Sequence, residues 1–123
     1  MIDQLALTPM LTKRVGTLSE GYRRRLLLAI ALLAPQPLLI LDEPFDGLDL
    51  RQTQQVMALL REARDSGRTL ILSIHQLTEA ERICDRLVLL AAGRLLGCGT
   101  LESLRSQAGL ATGDLEEVFL ALT

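Results

Sequence analysis

Aromatic residues are almost absent from this sequence, which has no Trp, one Tyr and two Phe among 123 residues. The apolar residues, 49% of the chain, are therefore mainly aliphatic, and with a net charge of only -2 they exclude an intrinsically disordered chain. So small a net charge gives no indication of a protein that binds nucleic acid or a membrane surface. The two cysteines, Cys84 and Cys98, are too few for a disulfide framework and match no metal-ligand spacing, so we expect reduced thiols in a cytosolic protein.

Long uninterrupted hydrophobic runs are also missing. The most apolar stretch, residues 26–41, is broken by Pro35, Gln36 and Pro37. Each half is much shorter than the roughly 20 residues that a membrane-spanning helix requires. The stretch therefore predicts an apolar helix followed by a buried strand.

Turn residues and apolar periodicity predict an alternating order of helices and strands. A weak helix is expected at residues 2–7 and a polar loop at 10–17. The remaining helices are predicted at 20–34, 50–66, 77–84, 100–107 and 114–122, and strands at 38–41, 69–74, 86–90 and 95–97. This order is typical of an α/β fold with a mostly parallel sheet and flanking helices.

Two adjacent acids, Asp42 and Glu43, directly follow the aliphatic run Leu38–Leu41. Ligands of α/β proteins bind at the carboxyl ends of strands. An Asp at such a position can hold Mg²⁺ through its water shell, and the neighbouring Glu can orient or deprotonate a water molecule. The alternative is a solvent-exposed strand end that is acidic without binding a ligand.

A second candidate site lies where the helix over 20–34 begins. Ser19 and Gly21 would present a hydroxyl and backbone N–H groups to an anion. The three arginines Arg23–Arg25 sit in the first turn, where the helix dipole disfavours cations, and a bound phosphate would remove that conflict. The alternative is an ordinary Ser N-cap beside a solvated basic surface.

Two further polar residues follow strand or loop ends. His75 ends the second predicted strand, where it can contact a phosphate oxygen or a positioned water, although a lone His is more often structural. Asp49 ends a loop that turns at Gly47, and N-capping of the next helix explains it equally well.

The order and spacing of these features resemble the nucleotide-binding subunit of ATP-binding cassette (ABC) transporters. Residues 18–22 look like the signature motif, with Glu20 at its third place and Tyr22 where Gln is usual. Residues 38–43 look like Walker B, and residues 45–49 look like the D-loop. His75 looks like the switch histidine. The resemblance extends over about residues 2 to 122 and implies a partial P-loop NTPase fold.

The resemblance implies that ATP and Mg²⁺ are the cofactors. Asp42 would serve the Mg²⁺ of bound ATP, and Glu43 would be the general base or the group that orients water. His75 would contact the γ-phosphate.

Cassettes of this family pair head to tail, so each signature motif completes the ATP site of the other subunit. By resemblance, Ser19 and Gly21 would therefore bind the γ-phosphate of the partner's ATP. Arg25 matches the family's arginine after the signature motif, and Asp49 would act across the dimer interface. The acid at Glu20 would be unfavourable near a phosphate unless its side chain turns away.

The P-loop motif G-x-x-x-x-G-K-[ST] does not occur in these 123 residues, whose only lysine is Lys13. The chain therefore looks like the C-terminal half of a cassette, with the half that carries Walker A missing. We expect the end of the helical subdomain at about 1–35, the Walker B, D-loop and switch-His core at 36–99, and C-terminal helices at 100–123. Without the strand that bears the P-loop, Leu38–Leu41 would expose an apolar face, which predicts poor solubility or self-association.

The tail residues 115–122, and residues 92–95 followed by 99–101, look like those of exporter cassettes of the drug and ABC-2 kind. The resemblance implies an ATPase on the cytoplasmic face of the cell membrane that pairs with a second nucleotide-binding domain and a transmembrane permease, without a nucleic-acid partner. Two alternatives stay open. One is a non-transport ABC ATPase; the other is a non-catalytic remnant that donates its signature motif to another cassette.

Overall fold

The computed structural model describes all residues, 1–123. Its helices and strands are α1 Glu20–Leu33, β1 Leu38–Asp42, α2 Leu50–Asp65, β2 Thr69–Ser73, α3 Leu77–Ile83, β3 Leu87–Ala91, β4 Arg94–Gly99, α4 Leu101–Ala108 and α5 Leu115–Leu122. Every strand and helix predicted after residue 19 is confirmed, with ends shifted by at most two residues. No helix is long and apolar enough to cross a membrane.

The predicted helix at residues 2–7 is wrong. This segment forms hydrogen-bonded turns, Ala6 has a φ of 54°, and the only helical turn nearby is the 3₁₀ turn Thr8–Met10. Six residues before a proline are too few for the cooperative hydrogen bonding that a stable α-helix needs. The segment is nonetheless anchored, because Leu5 and Leu7 are buried.

The chain divides into two compact units, Met1–Ser73 and Ile74–Thr123. In the first unit, α1 begins at the predicted N-cap, where the Ser19 hydroxyl accepts a hydrogen bond from the Tyr22 backbone N–H at 3.3 Å. The C-terminal end of α1 is held by the Arg68 guanidinium, which donates to the carbonyl oxygens of Leu32 at 2.9 Å and Gln36 at 2.8 Å. Carbonyls that have no partner within the helix are thereby satisfied.

Strands β1 and β2 form a parallel pair in which Asp42 lies opposite Ser73. Helix α2 packs against β2 and buries Val56, Leu59 and Leu60 among its apolar residues. Because side chains alternate along a strand, Leu39 is buried on one face of the pair while Ile40 points to the other. Ile40 is 71% exposed, which confirms the predicted uncovered apolar face.

In the second unit, β3 and β4 form an antiparallel hairpin that turns at Ala92 and Gly93. Parallel pairing is therefore confined to β1 and β2, and the expected mostly parallel arrangement does not extend to this hairpin. The core of the unit is aliphatic: Leu104, Leu115 and Val118 are completely buried. The α/β class predicted from the sequence is confirmed.

Candidate functional site

The acidic pair lies where β1 ends in the first unit. Asp42 is the last residue of the strand, and Glu43 adopts a left-handed conformation with a φ of 48°. The Glu43 backbone N–H donates to the Ser73 carbonyl oxygen at 3.0 Å and to the Ser73 hydroxyl at 3.1 Å. The Ser73 hydroxyl donates to Oδ1 of Asp42. Sequence reasoning missed Ser73, since only the register of the two strands brings it beside Asp42.

The start of α1 brings together the residues of the signature-like segment. Ser19 acts as the N-cap, so ordinary capping explains its position, and its anion-binding role stays a prediction. A Cβ atom added at Gly21 would meet nothing within 4 Å, so the backbone there is open to an approaching group. Arg25 is 7% exposed, its guanidinium lies 4.3 Å from the centroid of the Tyr22 ring, and its buried Nε has no hydrogen-bond partner.

The Glu20 carboxylate forms an ion pair within the first turns of α1. The Glu20 carboxylate lies 3.6 Å from the Arg24 guanidinium, one helical turn away. Arg24 also contacts Asp46 at 3.2 Å, which links the first turn of α1 to the loop after the acidic pair. Pairs as exposed as these contribute little to stability, so their effect is mainly to orient the side chains.

Asp49 forms a complete capping box at the start of α2. Its Oδ1 accepts from the Gln52 backbone N–H at 2.8 Å, and the Gln52 side chain accepts from the Asp49 N–H at 3.1 Å. N-capping therefore accounts for Asp49, and a role across a dimer interface stays a prediction.

His75 lies in the second unit and is exposed. It borders an open cavity of about 390 Å³ between the start of α3 and one face of α5. The lining residues are His75, Gln76, Leu77, Thr78, Glu116, Phe119 and Leu120. The other predicted site residues, Ser19, Gly21, Arg25, Asp42, Glu43 and Asp49, all belong to the first unit.

Comparisons with known proteins agree with this arrangement. The family model described as ABC transporter matches residues 1–46. The chain is 36% identical to the ABC-type transporter ATP-binding protein EcsA of Bacillus subtilis (strain 168). The aligned segment of 105 residues covers 85% of this chain and 42% of that protein. A solved structure described as the ATP binding subunit of an ABC transporter matches with a TM-score of 0.90 and 34% identity, over 98% of this chain and 50% of that one. The chain belongs to the ABC transporter ATP-binding family.

Membership of this family makes the fold a partial P-loop NTPase fold. A further relative is the Nod factor export ATP-binding protein I of Neorhizobium galegae, which is 48% identical over 86 residues, or 70% of this chain and 25% of that protein. The chain thus spans half or less of the length of these three proteins.

The family binds nucleotides, and the Asp42 carboxylate is of the type that could hold a Mg²⁺ ion beside one. The chain holds no group of three or more His, Cys, Asp or Glu side chains that could hold a metal ion by themselves. Mg²⁺ in nucleotide sites needs no such group, because it keeps several waters and binds one or two carboxylates plus phosphate oxygens. Asp42 is exposed and is held through one oxygen only, so it can supply one such carboxylate.

Cys84 is a free thiol that is partly buried, whereas Cys98 is exposed. Burial raises the pKa of the Cys84 thiol, and the neighbouring Asp85 carboxylate raises it further. Because the thiolate is the reactive form, we expect iodoacetamide at pH 8 to modify the exposed Cys98 at least about tenfold faster than Cys84. The Cys84 thiol ionises at a lower pH in the unfolded chain than in the folded one. The free energy of unfolding should therefore fall as pH rises above the ordinary thiol pKa.

The single-thiol variants Cys84→Ser and Cys98→Ser separate the two rates by mass spectrometry. Equal alkylation rates in these two variants would contradict the burial of Cys84.

Proposed function

We propose that this chain is the C-terminal portion of an ATP-binding and ATP-hydrolysing subunit that powers a membrane exporter. The observation that carries the proposal is the acidic pair Asp42–Glu43 at the end of β1, held by Ser73. The name of the Neorhizobium galegae relative, which denotes an export ATP-binding protein, favours export.

In this proposal the two carboxylates have different roles. Asp42 holds Mg²⁺ through water, and the bound ion would neutralise charge on the phosphates. Glu43 orients or deprotonates the attacking water, and His75 contacts the γ-phosphate. The left-handed backbone conformation of Glu43 directly follows Asp42, the last residue of β1.

The start of α1 serves a second ATP molecule, which is held by the partner cassette. Ser19 and Gly21 present a hydroxyl and backbone N–H groups to its γ-phosphate, and Arg25 adds a positive charge. The buried Nε of Arg25 has no partner within the chain, and an anion at this helix start would stabilise its charge. Asp49 acts across the interface of this head-to-tail dimer.

The proposal includes the domain boundaries expected from the sequence and a peripheral place on the cytoplasmic face of the membrane. There the cassette dimer would pair with a transmembrane permease, and it has no nucleic-acid partner.

The chain by itself should not hydrolyse ATP measurably. Positioning is the dominant contribution to phosphoryl transfer, and the 123 residues contain no P-loop to clamp the phosphates. Phosphate release with Mg²⁺ and ATP tests this expectation. Mg²⁺-dependent turnover that disappears in Glu43→Gln would overturn it.

A chimera tests the catalytic role directly. The segment of the Bacillus subtilis relative that matches this chain is replaced by this chain, so that the remainder of that ATP-binding protein completes it. We expect ATP turnover that falls by at least about a hundredfold in Glu43→Gln, because a general base contributes that much. ATP binding is measured alongside, so that a misfolded chimera is recognised by loss of binding.

A chimera that binds ATP without turning it over would overturn the catalytic proposal. It would favour the second candidate function, a non-catalytic module that offers Ser19 and Gly21 to another cassette's ATP. The buried, unpartnered Arg25 Nε beside that helix start supports this alternative as well, because both functions donate the same helix start to the partner's ATP.

A further inference from the structure

Ser73 is the last residue of β2 and lies directly opposite Asp42 in the parallel register. Both side chains are on the exposed face of the strand pair, the face that also carries Ile40 and Ile71. The Ser73 hydroxyl donates its single hydrogen to Oδ1 of Asp42. This bond joins residues 31 positions apart in the chain.

The same hydroxyl has lone pairs left, and one of them accepts the Glu43 backbone N–H at 3.1 Å. The carbonyl oxygen of Ser73 accepts that N–H as well, at 3.0 Å. Glu43 has a φ of 48°, a region that residues other than glycine seldom adopt and keep only when their surroundings hold them there. Ser73 supplies two acceptors that hold the Glu43 backbone in this conformation.

We infer that Ser73 is a positioning residue for the acidic pair. Its hydroxyl fixes the Asp42 carboxylate through Oδ1, and Oδ2 takes no part in this bond. Its hydroxyl and carbonyl together hold the Glu43 backbone in its left-handed conformation. A catalytic consequence of this positioning rests on the proposed function. The contacts of Ser73 with Asp42 and Glu43 form without a bound nucleotide.

The side-chain chemistry defines which replacements preserve the role. Ser73→Ala removes the donor to Asp42 and one acceptor for Glu43 and leaves the backbone carbonyl in place. Ser73→Thr keeps the hydroxyl, and its methyl group suits an exposed strand position. Ser73→Thr is therefore the matched variant that should rescue the loss.

Carboxyl labelling of this chain tests the inference residue by residue. A water-soluble carbodiimide with glycine ethyl ester modifies accessible carboxylates, and peptide mass spectrometry gives the rate at each one. We expect Ser73→Ala to raise the labelling rate of Asp42 by about threefold, as for a charge-assisted hydrogen bond partly screened by water, and Ser73→Thr to restore it. Asp46 and Asp49 are internal controls and should keep their rates in all three proteins.

Two results would overturn the inference. One is an Asp42 rate that is unchanged in Ser73→Ala; the other is a rise shared by Asp42, Asp46 and Asp49, which would indicate general loosening of the unit. Labelling requires neither ATP nor metal, so its outcome is separate from turnover in the chimera. The chimera could bind ATP without hydrolysing it while Ser73→Ala still raises the labelling rate of Asp42. That combination would refute the proposed catalysis and support the positioning role of Ser73.

Discussion

Replacement of Leu104 by alanine should strongly destabilise the second unit. Leu104 is completely buried, and it lies in one aliphatic cluster with Leu115, Val118 and residues of β3. A Cβ atom added at Gly97 would come within 2.8 Å of Leu104 Cδ2, so the leucine fills the space that the glycine leaves. Truncation removes these contacts and opens a cavity that neighbouring backbone can close only in part. We expect a loss of about 3 kcal/mol.

A loss of that size is a large fraction of the stability of an ordinary domain, which is about 5 to 15 kcal/mol. Urea unfolding followed by circular dichroism measures it, and hydrogen exchange of peptides from residues 87–118 locates it. Leu95→Ala is the matched control, because Leu95 is 63% exposed on β4 and the chemical change is identical. If both variants lose the same stability, the burial of Leu104 does not describe the protein in solution.

Features encoded by neighbouring residues were predictable from the sequence. The N-caps at Ser19 and Asp49 follow from side chains that reach a backbone N–H within the same turn. The strands predicted at 86–90 and 95–97 correspond to β3 and β4, and the hairpin turn between them at Ala92 and Gly93 is as short as that spacing requires. The strand end that precedes Glu43 was also predictable, because the aliphatic run bounded by Pro37 and Asp42 is too short for a helix.

Features that depend on distant residues were not predictable in the same way. The bond from Ser73 to Asp42 requires the exact pairing of two strands, which no local pattern in either strand specifies. The ion pair between Arg24 and Asp46 requires α1 and the loop after β1 to meet. The residues that resemble known motifs were therefore recognisable from the sequence, whereas the contact of Ser73 with two of them was not.

The exposed face of the β1–β2 pair predicts how the isolated chain behaves in solution. Ile40 and Ile71 lie opposite each other and are 71% and 54% exposed. Covering one such isoleucine would gain about 1 to 2 kcal/mol, and both strands also have an unpaired edge. We therefore expect the chain to self-associate in ordinary buffer.

The double variant Ile40→Thr, Ile71→Thr should raise the soluble monomer fraction several-fold, because threonine keeps the strand preference and removes most of the apolar surface. Sedimentation velocity at several concentrations measures the fraction. Leu50→Gln is the control: Leu50 is 69% exposed, but it lies at the start of α2, away from any strand edge. A wild-type chain that is monomeric and melts cooperatively would refute this prediction. Equal improvement by Leu50→Gln would show that total apolar exposure, rather than the strand face, drives association.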